Sequence, residues 1–253
     1  MATDYTQDAN CMGAWLFTEG SGTTVADASG EGNTGTFLGS GEPAWSSSVP
    51  SGYSNNSADF DGTNDLINCT TVAVASSNIS FVAWVNLDGV GGSTENHRVV
   101  VSITEGTASQ NWNSYFAIGD WDNANTLFQF TDILSTNAEV PITGWQHVAV
   151  TYDGSNIRYY LNGALDSTVA FTDSLSTSYT TAYIGGRNNG VGTTYMNGLV
   201  TEVGYFTRVL SLSEIGDIMD FGLDGSLDVA TTKFRKTLSG IGTGTGKRQM
   251  VGN

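Results

Sequence analysis

The chain has 253 residues, of which 39% are apolar and 11% aromatic, so it can bury a sizeable core. Its formal net charge of −16, from 9 Lys and Arg against 25 Asp and Glu, disfavours nucleic-acid binding. No run of residues is long and apolar enough to predict a membrane span, and residues 1–10 lack the apolar run of a signal peptide. We therefore expect a soluble chain made in the cytoplasm, with no insertion into a membrane.

Runs of apolar residues bounded by turn residues predict short strands along most of the chain. The first two strands are predicted over residues 12–17 and 34–38, and the polar, Ser-rich stretch 39–57 is predicted to be irregular. In residues 79–87, every second residue from Ile79 to Leu87 is apolar, so these side chains share one face of the predicted strand. Trp84 lies on the other face of that strand. Both faces of that strand are therefore predicted to be covered.

Two tight-turn signals, Asp-Gly at 153–154 and Asn-Gly at 162–163, predict a three-stranded meander. The alternating segments that they separate are residues 145–152, 157–161 and 165–171. Later strands are predicted over residues 182–185 and 199–206.

One helix is predicted, because Ser211 and Glu214 form a capping-box pattern and Gly222 is placed to end the helix. Many short strands with a single helix predict an all-β fold of two antiparallel sheets over residues 1–222. The helix lies near the C-terminal end of that domain. Residues 223–253 lose the periodicity and form a basic, Gly-rich tail that we expect to extend away from the sandwich.

Four segments, in this order, carry a resemblance to a known family. They are FDGTND at 60–65, ISFVAWV at 79–85, GWQHVAVTYDG at 144–154 with YLNG at 160–163, and YIGG at 183–186 with MNGLVTEV at 196–203 and LSLSEI at 210–215. Together they resemble the laminin-G-like (concanavalin-A-like) jelly-roll domains over a region from about Cys11 to Gly222.

The resemblance implies two stacked antiparallel sheets, often a sugar-binding or adhesive role, and sometimes a calcium ion at the rim of the sandwich. In this chain Glu202 stands where the family usually has Asp, which weakens the case for a metal at that position. The opening residues 3–11 run directly into the first strand and resemble jelly-roll proteins carried on phage particles.

Catalytic motifs are not evident in the sequence. Sandwich glucanases carry Glu-x-Asp-x-x-Glu on one strand, whereas here Asp120 and Asp122 flank Trp121 in a loop-like stretch. His97 and His147 accompany no nucleophile motif and no zinc-ligand spacing, and His147 is interpreted as a structural, hydrogen-bonding residue within a strand. We expect no enzymatic activity.

Two pairs of residues are candidate calcium ligands, namely Asp27 with Asn33 and Asp61 with Asp65. Calcium binds carboxylate, amide and carbonyl oxygens from loops, and both pairs lie in Gly-containing turns. The alternative is that these side chains accept hydrogen bonds from their own turn backbone.

Exposed aromatic rings stack on sugar faces, so Trp112, Trp121 and Tyr115, in or beside polar loops, are candidate ligand-binding residues. The alternative is packing within the core or the loops, which we favour for Trp45. The two cysteines, Cys11 and Cys69, are too few for a disulfide framework and are predicted to be buried thiols rather than a bridge.

Five bases and two acids lie in the tail 223–253, so the charge is unevenly divided along the chain. The tail is either a docking arm or a disordered terminus. Two apolar residues spaced by four among the bases favour docking. The candidate docking residues are Lys233, Phe234, Arg235, Lys236, Leu238, Lys247 and Arg248.

Three functions are compatible with these patterns. The first is a non-enzymatic virion-associated structural, decoration or adhesion protein, made in the host cytoplasm and attached through its tail to other virion proteins or sister subunits, with an outward rim that contacts glycans. The second is a free, extracellular, calcium-dependent lectin-like module. The third is a polysaccharide hydrolase whose site is not recognised.

Overall fold

A computed structural model describes residues 2–38, 43–72, 77–88, 98–104, 115–119, 128–131, 133–135, 139–175, 181–188 and 193–227. Strands dominate, as predicted, and one α-helix, α1 (Leu212–Phe221), follows them. A short 3-10 helix, Tyr5–Gln7, precedes the first strand. In the described ranges, no helix has both the length and the apolar character needed to cross a membrane.

Two antiparallel sheets of eight strands each form the sandwich. Strands are numbered in chain order. Sheet A contains β1 (Cys11–Trp15), β4 (Ala44–Ser46), β5 (Ser57–Asp61), β7 (Ile79–Leu87), β12 (Gln146–Tyr152), β13 (Asn156–Leu161), β14 (Ala164–Ala170) and β18 (Asn197–Phe206). Their order is β14-β13-β12-β7-β18-β5-β4, and β1 also pairs with β18.

Sheet B contains β2 (Thr24–Val25), β3 (Gly35–Leu38), β6 (Leu66–Thr71), β8 (Arg98–Thr104), β9 (Tyr115–Ile118), β10 (Phe128–Phe130), β11 (Ile133–Leu134) and β15 (Thr181–Ile184). Their order is β11-β10-β9-β8-β15-β6-β3-β2. A separate two-stranded sheet pairs β16 (Gly186–Asn188) with β17 (Thr193–Tyr195).

The predicted meander and helix are confirmed. Strands β12, β13 and β14 pair in succession in sheet A, with Val150 opposite Tyr159. At α1, the Ser211 hydroxyl accepts from the Glu214 amide at 3.3 Å and the Glu214 carboxylate accepts from the Ser211 amide at 2.7 Å. Strand β4 lies inside the stretch expected to be irregular. The 3-10 helix and strands β2, β5, β6, β8, β9, β10, β11, β16 and β17 were not predicted either.

Trp45, in β4, packs as predicted. Its indole lies within 6.1 Å of Phe17 and 5.2 Å of Phe37, measured between ring centroids. Its Nε1 donates to the carbonyl of Gly22 at 2.7 Å. The ring therefore links β4, at the edge of sheet A, to the segment that connects β1 and β2.

Both faces of β7 are buried, as its sequence pattern predicts. Phe81 points between the sheets and stacks on Tyr205, with ring centroids 5.1 Å apart. Val82, on the opposite face, belongs to a second apolar cluster with Ile215 and Ile218 of α1. We call this side, which α1 partly covers, the outer face of sheet A.

The cysteines lie in different apolar clusters, Cys11 on the outer face and Cys69 between the sheets. Both are free and buried, which confirms the prediction of unpaired thiols. Burial raises the pKa of the Cys11 thiol to about 12 and also raises the pKa of Cys69.

The predicted boundary after Gly222 is too early, because the next residues pack on the sandwich. Leu223 is fully buried on the outer face, and its carbonyl accepts from the Tyr5 amide at 2.8 Å. The Leu227 amide donates to the carbonyl of Phe221 at 3.1 Å. The folded domain thus extends at least to Leu227, and residues 228–253, which contain every candidate docking residue, lie outside the described residues.

Candidate functional site

Two neighbouring concavities open on the outer face of sheet A where α1 does not cover it. The aromatic pocket, of about 370 Å³, is lined by Pro50, Ser51, Trp84 and Trp145. The acidic cleft, of about 140 Å³, is lined by Leu16, Thr18, Tyr53, Ser54, Asn55, Glu202, Gly222, Asp224, Ser226 and Leu227. The loop 50–55 between β4 and β5 contributes to both.

The Trp84 ring in the aromatic pocket is held by a chain of hydrogen bonds. Its Nε1 donates to the Tyr53 hydroxyl at 2.9 Å, and the two rings meet edge to face with centroids 5.8 Å apart. The Tyr53 hydroxyl in turn donates to the carbonyls of Ile218 and Met219, at 3.4 and 3.2 Å. These carbonyls belong to the last turn of α1, where the Ile218 carbonyl also accepts from the Gly222 amide at 2.9 Å. The ring is therefore fixed before any ligand arrives.

Trp145, just before β12, forms the second aromatic wall and is half-buried. Its Nε1 is buried and has no hydrogen-bond partner in the part of the chain that the structure describes. A buried N–H without a partner costs about 1–3 kcal/mol.

His147 is buried beside the pocket, with 1% of its surface exposed. Its ring meets Trp84 edge to face, with centroids 5.2 Å apart. Burial lowers the pKa of His147 to about 3, so the imidazole is neutral. Neither ring nitrogen finds a partner among the described residues, so the predicted hydrogen-bonding role is wrong and the ring acts through packing.

Glu202 lies at the base of the acidic cleft because of a β-bulge in β18. The register against β7 shifts between Thr201 and Gly204, and Glu202 has a φ of 53°. A bulge turns two successive side chains to the same face. Consistent with this, the Asn55 amide nitrogen reaches both the Thr201 hydroxyl, at 3.0 Å, and the Glu202 carboxyl, at 3.1 Å.

Both Glu202 carboxyl oxygens are engaged in the fold. One accepts from Asn55 Nδ2, and the other accepts from the Leu223 amide at 3.0 Å. Burial raises the pKa of Glu202 to about 8, and the Asp224 carboxylate adds to the rise. Glu202 is therefore a neutral acid at pH 7 that ties β18, the loop 50–55 and the end of α1 together.

Asp27 and Asn33, the first predicted calcium pair, meet in the loop between β2 and β3. Asp27 Oδ1 accepts from the amides of Ala14 and Ser29, each at 3.0 Å, and Oδ2 accepts from the Asn33 amide at 2.9 Å. The Asn33 carbonyl accepts from the indole of Trp15 at 2.8 Å. In this structure the Asp27 side chain accepts from its own turn, which is the alternative that the sequence left open, whereas the Asn33 side chain donates to the Met12 carbonyl of β1 at 2.7 Å.

Asp61 and Asp65, the second pair, also meet. Asp65 Oδ2 accepts from the Asp61 amide at 3.0 Å, while Asp65 Oδ1 is buried and has no partner among the described residues. Burial raises the pKa of Asp65. Among the described residues, no three His, Cys, Asp or Glu side chains converge as a set of metal ligands.

Tyr115 does not offer an exposed face, contrary to its prediction as a stacking residue. It is 2% exposed, because it lies in β9 of sheet B and its ring is covered by the Arg187 guanidinium at 5.1 Å. The other two candidates, Trp112 and Trp121, lie outside the described residues, as do His97, Asp120 and Asp122.

The sequence did not reveal Trp145, Tyr53 or Asn55 as site residues. Trp84 carried a usable signal, because it is an aromatic residue on the face of β7 opposite the regular apolar series. Tyr53 and Asn55 lie in a polar loop with no periodicity, so only the fold places them beside Trp84 and Glu202.

The two packed antiparallel sheets define a concanavalin-A-like sandwich. The Laminin_G_3 family, described as the concanavalin A-like lectin/glucanases superfamily, matches residues 61–216. The chain belongs to this family. No curated protein sequence matches it.

Several solved structures share the fold at low sequence identity. Domain 4 of AbnA, a GH43 extracellular arabinanase from Geobacillus stearothermophilus solved with arabinotriose, is 18% identical, with a TM-score of 0.63 and coverage of 83% of this chain and 98% of that domain. The botulinum neurotoxin serotype G binding domain is 17% identical, with a TM-score of 0.56 and coverage of 83% and 50%. The Trypanosoma rangeli sialidase, solved with sialic acid, is 15% identical, with a TM-score of 0.56 and coverage of 85% and 33%. The chain thus spans half of the neurotoxin domain and a third of the sialidase.

Proposed function

We propose that this protein is a non-enzymatic carbohydrate-binding protein whose glycan site is the aromatic pocket. The observation that carries the proposal is the pair of indoles, Trp84 and Trp145, around a cavity large enough for a sugar ring. Indole faces stack on the apolar C–H surface of sugars. The bound arabinotriose in the similar arabinanase domain supports the same class of ligand.

Glycan binding is tested by screening the protein against an array of polysaccharides and then measuring affinity by calorimetry. Trp145→Ala should weaken binding at least tenfold, because it removes one stacking wall. Leu165→Ala is the matched control, since Leu165 is 49% exposed on β14 and does not line the pocket. Unchanged affinity in Trp145→Ala would overturn the assignment of the site.

We infer that the protein does not hydrolyse its ligand. The carboxyls that line a common cleft in the described part of the chain are Glu202 and Asp224. Both oxygens of Glu202 are occupied by Asn55 and by the Leu223 amide, as a structural role requires. Incubation with the polysaccharides that bind should release no reducing ends. Release that is lost in Glu202→Gln would support the hydrolase alternative instead.

We further propose that the setting is a virion, with the sandwich facing outward and residues 228–253 attached to other virion proteins or sister subunits. The excess of bases in that segment, against a strongly acidic remainder, supports an attachment role. The alternative is a free extracellular lectin-like module. Removing residues 228–253 should abolish attachment to particles while leaving glycan affinity intact, whereas a free lectin should keep both its glycan affinity and its oligomeric state.

Calcium is proposed as a ligand of the Asp61–Asp65 turn. The support is the buried Asp65 Oδ1, which lacks a partner among the described residues and would gain one from a cation. Calcium should raise the melting temperature of the wild type but not that of Asp65→Asn. An equal rise in both would place the ion elsewhere, and no rise in either would remove calcium from the proposal.

A further inference from the structure

The described lining of the aromatic pocket carries no formal charge. Pro50, Trp84 and Trp145 contribute apolar surface, and Ser51 contributes a hydroxyl. An ionised group that leaves water for apolar surroundings without a partner loses far more hydration free energy than an uncharged hydroxyl does. The lining of the pocket therefore favours a ligand without charge.

The folded domain contains few bases that could neutralise an anion, and two of them are ion-paired. Nine Lys and Arg occur in the chain and five lie in the tail, so residues 1–227 contain four, all Arg. The Arg158 guanidinium lies 2.6 Å from the Asp153 carboxylate. The Arg208 guanidinium lies 2.6 Å from Asp8 and 2.7 Å from Glu214. Both guanidiniums are therefore already neutralised within the fold.

The other two bases are buried and do not reach the pocket. Arg98, in β8 of sheet B, is 1% exposed, and Arg187, in β16, is 4% exposed. The Arg187 guanidinium lies over the Tyr115 ring of sheet B, 5.1 Å from the ring centroid. None of the four described arginines lines the aromatic pocket. A carboxylate or sulfate bound there meets no cation from the part of the chain that the structure describes.

The charge of the folded domain adds repulsion. Residues 1–227 hold 24 acids against four bases, a net charge of −20. The loop 50–55 leads from the aromatic pocket into the acidic cleft, which Asp224 lines. A field of one sign lowers the local concentration of ligands with the same sign, and salt screens it over a Debye length of about 8 Å at physiological ionic strength. An anionic glycan is therefore repelled as it approaches the pocket.

We propose that the aromatic pocket is selective for uncharged glycans and excludes sugars that carry carboxylate, sulfate or phosphate groups. This inference rests on the proposed glycan-binding function and names the substrate class of the same site. Two effects act together, because the lining gives an ionised group no partner and the charge of the domain repels an anion. A neutral sugar avoids both effects and keeps the stacking of its C–H surface on the indoles.

The test compares three forms of one hexose oligosaccharide that binds in the array. The forms carry the free C6 hydroxyl, the C6 carboxylate obtained by oxidation, and the methyl ester of that acid. Calorimetry at an ionic strength of about 10 mM, where the Debye length is about 30 Å, should show the acid binding at least tenfold more weakly than the other two. The difference should narrow at physiological salt. An ester as weak as the acid would trace the loss to the C6 hydroxyl and overturn the inference.

The array itself separates this inference from the proposed function. Neutral glycans should be its strongest ligands. If the strongest ligands instead carry carboxylate or sulfate groups, the inference is overturned while the proposed function stands. Binding to no glycan at all would overturn both.

A base placed at the pocket should remove the selectivity. Ser51 is exposed in a turn held by the Tyr53 amide, which donates to the Pro50 carbonyl at 3.0 Å, so Ser51→Lys leaves this contact in place. At physiological salt it should raise the affinity for the acid at least tenfold and leave that for the neutral form unchanged.

The matched control adds the same charge far from the pocket. Ser155 is an exposed turn residue after β12, whereas Trp145 precedes that strand. The seven residues of β12 span roughly 24 Å, about three Debye lengths at physiological salt. Ser155→Lys should therefore keep the selectivity of the wild type. Equal effects of Ser155→Lys and Ser51→Lys, or no effect of Ser51→Lys, would overturn the assignment of the selectivity to the pocket.

Discussion

The indole of Trp84 and the hydroxyl of Tyr53, 2.9 Å apart, join a strand of sheet A to the last turn of α1. Tyr53 completes the link by donating to the carbonyls of Ile218 and Met219. Through this contact, the ring that lines the aromatic pocket is positioned by the helix that closes the outer face. Folding of α1 and formation of the aromatic pocket are therefore coupled.

Tyr53→Phe should lower the free energy of unfolding by about 1–3 kcal/mol, because it removes the hydroxyl that accepts from the Trp84 Nε1. Urea denaturation measures the change. Tyr160→Phe is the control, since the Tyr160 hydroxyl makes no hydrogen bond to another described residue. Equal effects of the two substitutions would argue against a special role for the Tyr53 hydroxyl.

The stability of the wild type should fall as the pH rises from about 4.5 to about 8. The folded state keeps Glu202 protonated up to its pKa of about 8, whereas the unfolded state loses that proton near the ordinary pKa of 4.5, so unfolding releases a proton in this range. The loss amounts to at most about 5 kcal/mol at 1.36 kcal/mol per pKa unit. Glu202→Gln should remove this part of the pH dependence in denaturant titrations, and an unchanged slope would contradict the burial of a protonated Glu202.

Gly185→Ala should destabilise the sandwich by several kcal/mol more than Gly32→Ala. Both glycines have a φ of 81°, so the backbone strain, about 1–2 kcal/mol, is the same in each. A Cβ on Gly185 would lie 1.9 Å from Phe60 Cε1, whereas none of the atoms around Gly32 comes within 4 Å of one. The difference in melting temperature between the two variants isolates the clash with Phe60, and equal values would mean that the core repacks freely there.

Cys11 and Cys69 should react with a thiol reagent only when the protein unfolds. Both are buried, and burial raises the pKa of each thiol, so the reactive thiolate is scarce in the folded state. Reaction kinetics in native buffer and in denaturant measure the difference. Rapid labelling of either residue in native buffer would show local opening of its cluster.

The regular parts of the fold were predictable because their signals are local. The Asp153-Gly154 and Asn162-Gly163 corners, the alternation in β7 and the capping box at Ser211 each act within a few residues. The stretch containing β4 was not predictable, since three residues with a single aromatic, Trp45, give no period to detect. The boundary after Gly222 failed for a related reason, because the burial of Leu223 depends on Tyr5 and Glu202, which are distant in the sequence.

By itself the sequence determined the class of fold, the meander and the capped helix, because alternation and turn chemistry are properties of neighbouring residues. The unpaired state of the two cysteines was predicted from their number. Tertiary structure alone decided which side chains share a surface. In the folded chain, Tyr115 is buried beneath the Arg187 guanidinium, and the Asp27 carboxylate accepts hydrogen bonds that hold its own loop. The polar loop 50–55 lies beside Trp84 and beside Glu202, which belongs to the bulge in β18. Sheet order and register set these contacts, and both depend on pairing between strands far apart in the chain.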